Sequence, residues 1–233
     1  MRSSGRPIAI NADVGEGFPD DEDLMPLLDR ASVACGGHAG SQRTMTRAVR
    51  LAARYGVAVG AHVSYPDRRG FGRVTIPMPG IAAAVTAQAR ALARVARRAR
   101  LPLDHVKLHG ALYHDASTDP RIAIAVGRAI RRLGGGVGWI GMPGTWQERT
   151  ARRFGIPFIR EGFADRRYRR CRRHRWGRLV PRGEPGALVR GPAAAARQAR
   201  RLAAGGQVDT LCVHSDTPGC VRIARAVRAA VSR

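Results

Sequence analysis

Residues 104–113 read DHVKLHGALY, and this stretch decides the fold. It starts with an apolar, β-branched half and ends in glycine and polar side chains. Lys107 and His109 are two residues apart and so face the same side of a strand, with Tyr113 just beyond on the following loop. Six further runs share this form: IAINADVGE (8–16), ASVACGGHA (31–39), GVAVGAHVSYPD (56–67), GVGWIGMPG (136–144), PFIREGFADRRY (157–168) and TLCVHSD (210–216). Helical patterns separate them, which is the sequence form of repeated βα units. Buried parallel strands with polar ends deliver functional groups to one C-terminal rim, so the reading predicts an α/β fold, a TIM-like (β/α) barrel of seven strands.

The intervening segments carry helix punctuation. Asp20 to Asp23 place acidic side chains in a first turn, Asp119 with Pro120 reads as an N-cap and first helical residue, and Gly134 as a stop. Thr145 with Glu148 fits a capping box closed by Gly155, while 80–100 and 219–233 read as amphipathic surface helices. Residues 165–190 are the exception. This arginine-rich stretch is too irregular for an ordinary βα connection and is expected to be a long loop, either a solvated face or a lid, anion site or docking surface.

Length and composition bound the rest. A chain of 233 residues, 44% hydrophobic, buries one substantial core, so residues 1–233 are expected to form a single domain. No run approaches the ~20 apolar residues of a membrane span, and MRSSGRPIAI lacks an apolar signal region. A cytoplasmic location is expected, with no membrane partner. Cys35, Cys171, Cys212 and Cys220 lack CxxC spacing and read as free thiols, Cys35 and Cys212 as packing residues. A net charge of +24 raises nucleic acid as a partner, but its 41 basic residues are all arginine except Lys107 and spread over nearly every helix. Without a recognised binding module this predicts no specific nucleic-acid function, only loose attraction to polyanions.

Candidate chemistry lies at the strand ends. Asn11 and Asp13 share one side of the first strand, with Glu16 reachable after the turn at Gly15. His38, His62, His109 and His214 all fall at strand C-termini, which predicts one shared polar site, whereas His105, His114 and His174 read first as structural. The sole lysine, Lys107, suggests a demand for a compact ammonium. The sixth unit adds Glu161, Asp165 and Arg166, the arginine-rich stretch Arg182, and the seventh His214 with Asp216; a nearby carboxylate can fix a histidine tautomer.

Taken in order, NADVGEG, ACGGHAG, GAHVSYPDRRGFGR, HVKLHGALYH, EGFADRRY, LVPRGEPGAL and CVHSDTPG resemble the motif set of the LamB/YcsF lactam-utilisation family over almost the whole chain. The chain departs from the usual pattern at Ser41, Leu108, His114 and Ser215, while Lys107, His109, His214 and Asp216 match. The resemblance implies a distorted seven-stranded barrel related to the glycoside hydrolase/deacetylase superfamily. It implies ATP-dependent hydrolysis of 5-oxo-L-proline, or a related small lactam, to L-glutamate, with two partner subunits resembling 5-oxoprolinase subunits B and C. Asp13, His38, His62, Lys107 and His109 would then be catalytic: Lys107 to stabilise an oxyanion, Asp13 or a histidine to activate water. Asn11, Glu16, Asp67, Arg73, Tyr113, Glu161, Asp165, Arg166, Arg182, His214 and Asp216 would bind substrate.

No GxxxxGK[ST] phosphate loop is present, so ATP is expected on a partner or at a site of another kind. Two other readings stay open. One is a divalent-metal deacetylase or amidohydrolase with Asp13, His38 and His62 as ligands, the metal itself unassigned. The other is a non-enzymatic polyanion-binding protein. A homo-oligomer is possible under each.

Overall fold

The computed structural model describes residues 8–232 except 78, 172 and 173. Its strands are β1 (Ala9–Val14), β2 (Arg30–Ala34), β3 (Ala58–Val63), β4 (Leu103–Leu108), β5 (Gly138–Gly141), β6 (Phe158–Phe163), β7 (Tyr168–Cys171), β8 (His174–Leu179) and β9 (Thr210–Cys212). The helices are α1 (Asp21–Leu24), α2 (Gln42–Tyr55), α3 (Ile81–Arg98), α4 (Gly110–Thr118), α5 (Pro120–Arg131), α6 (Trp146–Arg153), α7 (Pro192–Ala204) and α8 (Cys220–Val231). Seven parallel strands close in the order β1-β2-β3-β4-β5-β6-β9, the barrel expected from the sequence.

Strand alternation separates two environments. Ile10, Ala12 and Val14 of β1 join the apolar core, whereas Asn11 and Asp13 between them reach Lys107 Nζ across the barrel. The core extends through Val85 and Leu92 of α3, Leu112 of α4 and Trp139 of β5, each burial stabilising by about 1.5–3 kcal/mol. At the barrel's N-terminal end His105 donates from Nδ1 to Asp104 and accepts from Ser32 Oγ at 3.0 Å. The ring lies over Gly60, where a Cβ would come within 2.1 Å of its Nε2. His105 is thus structural, as its sequence position suggested.

Helix starts agree with the sequence in part. Asp119 Oδ1 accepts from Arg121 N–H at 2.8 Å, the expected cap with Pro120 following. The capping box at Thr145 does not form: the Thr145 hydroxyl donates to Met142 O, and Glu148 Oε2 accepts from Gly144 N–H, one residue too early. The expected irregular loop at 165–190 also needs correcting. β7 and β8 pair as an antiparallel hairpin, and Arg167 N–H donates to Ala187 O while Val180 N–H donates to Arg167 O. Pairing satisfies backbone groups that an irregular path would leave to solvent. The side chains of Cys171 and His174 lie outside the described residues. Among the described residues no helix is long and apolar enough to cross a membrane.

Candidate active site

The C-terminal ends of the strands open into a cleft of about 420 Å³, within the range that holds a small ligand. Asp13, His62, Lys107, His109, Tyr113 and His214 line it, with Arg73, Arg166 and Arg182 at its wall. Asn11, Glu16, His38, Glu161, Asp165 and Asp216 stand behind these groups and hold them. Asp67 does neither: its Oδ1 accepts from Gly70 N–H at 2.7 Å and braces the turn that carries Phe71 to Arg73.

Lys107 is only 2% exposed. Its Nζ lies 2.8 Å from Asp13 Oδ1, 2.8 Å from Glu161 Oε1, 3.1 Å from Asn11 Oδ1 and 3.2 Å from Cys212 Sγ. The ammonium donates hydrogen bonds to Asn11 and Cys212 and is in ion-pair contact with Asp13 and Glu161, whose Oδ1 and Oε1 have no hydrogen-bond donor among the described residues. Burial alone pulls the lysine pKa down, but the Asp13 and Glu161 carboxylates outweigh it and hold the ammonium well above its ordinary value. Burial likewise raises Asp13, yet His62 and Lys107 bring its carboxyl well below the usual range. So depressed a carboxylate is a weak base. Cys212, read from sequence as packing, contacts this charge; burial keeps its thiol well above its usual pKa, hence neutral.

The histidines converge as expected, around Glu16. His38 and His109 stack with centroids 3.7 Å apart, and His62 sits edge-on to both. His109 Nε2–H donates to Phe71 O at 2.9 Å, which leaves its Nδ1 to accept from His62 Nε2–H at 2.9 Å. His38 Nε2–H donates to Glu16 Oε1 at 2.8 Å. That oxygen is also 3.5 Å from His62 Nε2 and 3.4 Å from His109 Nδ1. Burial and the neighbouring rings press the His109 pKa well down, and burial lowers that of His38. Burial raises Glu16, but the hydrogen bond from His38 and the nearby His62 ring hold it well below the usual carboxylate range.

Two local backbone features fix this arrangement. Phe71 adopts φ 54°, a left-handed conformation that costs a non-glycine residue about 1–2 kcal/mol, and its carbonyl meets His109. Gly110, at φ 56°, starts α4 against the Gly72 carbonyl, which accepts from Ala111 N–H at 2.9 Å. A Cβ on Gly110 would fall 2.3 Å from that oxygen.

On the opposite wall His214 Nδ1–H donates to Asp165 Oδ1 at 2.8 Å, and its backbone N–H and the Thr217 hydroxyl donate to Oδ2. Asp165, not Asp216, is therefore the carboxylate that sets the His214 tautomer, leaving Nε2 available. Burial raises the Asp165 pKa but these donors bring it down to about 2. Asp216 instead bridges Arg73 at 3.1 Å and Arg182, tying the β3–α3 loop to the segment after β8. Arg166 is 5% exposed, donates from Nη2 to Val180 O, and its Nε has no partner among the described residues. The Tyr113 hydroxyl is likewise buried without a partner among them; burial and Glu161 raise its pKa well above normal.

His114, read first as structural, also lines the cleft. Phe71, Phe163 and Cys212 belong to the site but were not singled out for it. The only sequence signal for them is membership of the GFGR, EGFADRRY and CVHSD motifs.

The LamB/YcsF family model matches residues 8–233. The chain is 40% identical over 240 residues to the A subunit of the 5-oxoprolinase of Chloroflexus aggregans, covering 95% of this chain and 93% of that protein. It is 42% identical over 240 residues to the protein of the same name from Streptomyces avermitilis, covering 95% and 94%. The crystal structure of a lactam utilization protein from Thermus thermophilus superposes with a TM-score of 0.86 at 38% identity, covering 97% of this chain and 96% of that one. The chain belongs to the LamB/YcsF family.

Proposed function

We propose that the chain is the A-type component of a 5-oxoprolinase, which opens 5-oxo-L-proline or a closely related lactam to L-glutamate together with two further subunits resembling B and C. The observation that supports this is likeness of about 40% over nearly the full length of proteins bearing that name, spanning every motif that builds the cleft. ATP hydrolysis supplies the driving force for an otherwise unfavourable amide opening. The sequence has no phosphate loop, so the ATP site is not assigned to residues of this chain.

Within this reading His214 is the base, because Asp165 fixes its tautomer from behind and leaves Nε2 on the cleft wall. It takes a proton from water as the water oxygen bonds to the amide carbonyl carbon. The ring C–N bond then breaks, and the proton passes to the departing nitrogen. Arg166 and Arg182 supply the positive wall for the lactam's carboxylate. Lys107 places its charge under the carbonyl oxygen, and an ammonium proton beyond those given to Asn11 and Cys212 is available to donate to it. The test is to combine the chain with B- and C-type subunits and follow glutamate release from 5-oxoproline. ATP-dependent release that needs all three supports the reading; none from a folded, assembled complex refutes it.

A further inference from the structure

We propose that Asp216 sets the charge preference of the cleft: by offsetting one positive charge at its mouth, it makes the wall fit a ligand with a single negative charge and disfavour one with two. The inference rests on the lactam reading for the ring that occupies the cleft, and gives a role to a side chain that meets no substrate itself. Asp216 Oδ2 accepts from Arg73 Nη2 at 3.1 Å and Oδ1 accepts from Arg182 Nη2, so one carboxylate joins guanidiniums from two separate segments. Both arginines line the cleft, whereas the Asp216 side chain stands behind them and is only 12% exposed.

The wall carries one net positive charge. Among the described residues Arg73, Arg166 and Arg182 line it, and Asp165 and Asp216 are the carboxylates that pair with its polar groups. Asp165 is ionised, its pKa held at about 2 by the donors around it. Arg166 feels this balance directly. Burial and the Arg182 charge press its guanidinium below the usual value, and Asp165 and Asp216 act against them. Its buried Nε is a donor without a partner among the described residues, which suits one anionic group. The floor offers nothing to a second negative charge, because Lys107 already faces Asp13 and Glu161. A lactam carboxylate brings the wall to neutrality. A dianion overshoots by one charge in a half-buried setting, where excess charge is poorly screened.

Coulomb's law sets the size of the effect. When one wall carboxylate is neutralised, a ligand of charge −2 gains twice the energy that a ligand of charge −1 gains. The dianion therefore tightens by the square of the monoanion's factor, and the ratio of the two affinities shifts by that factor. At a separation of about 6 Å and an effective dielectric of about 20–40, the factor is roughly 10–100.

The test uses the full chain and three ligands built on one ring, titrated calorimetrically in low salt at a pH of about 8, where a phosphonate carries close to two charges. They are neutral 2-pyrrolidinone, 5-oxo-L-proline with one negative charge, and 5-oxopyrrolidine-2-phosphonate with two. The wild type should bind 5-oxo-L-proline most tightly. Asp216→Asn, whose amide oxygen can still accept from an arginine, should shift the ratio at least about 10-fold toward the phosphonate and leave 2-pyrrolidinone within about 2-fold. Asp216→Glu, which restores the charge, should bring the wild-type preference back. Should Asp216→Asn fail to fold by circular dichroism, Arg73→Gln decides: it removes a positive charge from a half-exposed side chain and should move the ratio the other way. A merely structural Asp216 would weaken all three ligands alike. That result, an unchanged ratio in the folded variant, or no binding of 5-oxo-L-proline by the wild type would overturn the proposal. Glutamate release by the assembled complex separates the two ideas: a shifted ratio without release sinks the lactam reading alone, and release with an unshifted ratio sinks this inference alone.

Discussion

Replacing Lys107 with methionine keeps the length of the side chain and removes its charge, leaving Asp13 and Glu161 buried with no ammonium between them. Breaking a buried ion pair from one side costs about 3–5 kcal/mol, a large share of the ~5–15 kcal/mol that stabilises a typical domain. For a chain of this size each kcal/mol moves Tm by about 2–4 °C, so the variant should melt roughly 6–20 °C lower. Its urea midpoint should fall with an unchanged slope. Adding Asp13→Asn and Glu161→Gln to the same chain should recover part of the loss, because the cost resides in stranded charge rather than lost volume. The pH dependence carries a matching sign: a lysine raised above its usual value contributes stability present at neutral pH and lost as pH rises past about 10.5, its unfolded value. A Lys107→Met protein within 1 kcal/mol of wild type, with the same alkaline limb, would refute this account of the barrel floor.

Three other outcomes follow from the geometry. Gly110→Ala forces a Cβ to within 2.3 Å of the Gly72 carbonyl at a positive φ, so it should cost at least about 1–2 kcal/mol and make the loop before Gly72 more open to limited proteolysis; wild-type melting and proteolysis would contradict this. Asp165, held at about 2, contributes stability present above about pH 4 and lost as pH falls toward 2, worth roughly 2 kcal/mol; Asp165→Asn should flatten that limb of an acid titration, and an unchanged limb would count against the pair. Arg166→Ala should raise KM for 5-oxoproline in the assembled complex with a smaller change in kcat, since its unpartnered Nε is assigned to the substrate carboxylate; an unchanged KM removes that assignment.

The barrel was legible because each strand has an apolar first half and a polar end, and parallel strands of one direction must bring those ends together. His38, His62, His109 and His214 could be gathered into one site on that ground alone. Pairings between units were not legible, since they depend on register. Asp165 and Asp216 both stand near His214 in plausible order, and only the structure shows that Asp165 takes its Nδ1–H while Asp216 turns to two arginines. Cys212 sits in an apolar run, and its charged neighbour comes from a strand 105 positions earlier. The hairpin of β7 and β8 was hidden because arginines crowd a stretch that otherwise lacks turn punctuation. Thr145 and Glu148 have the right spacing for a capping box, but each finds a partner outside the helix first.

The central claim is that the amide opens in this cleft, with His214 as the base. The direct measurement is glutamate formation by the reconstituted complex carrying His214→Asn, in which the asparagine amide can keep a donor to Asp165 while Nε2 is gone. The account predicts intact assembly and melting with a loss of about 100- to 10,000-fold in turnover, the range for removing a positioned general base. Wild-type turnover by that complex would place the chemistry elsewhere.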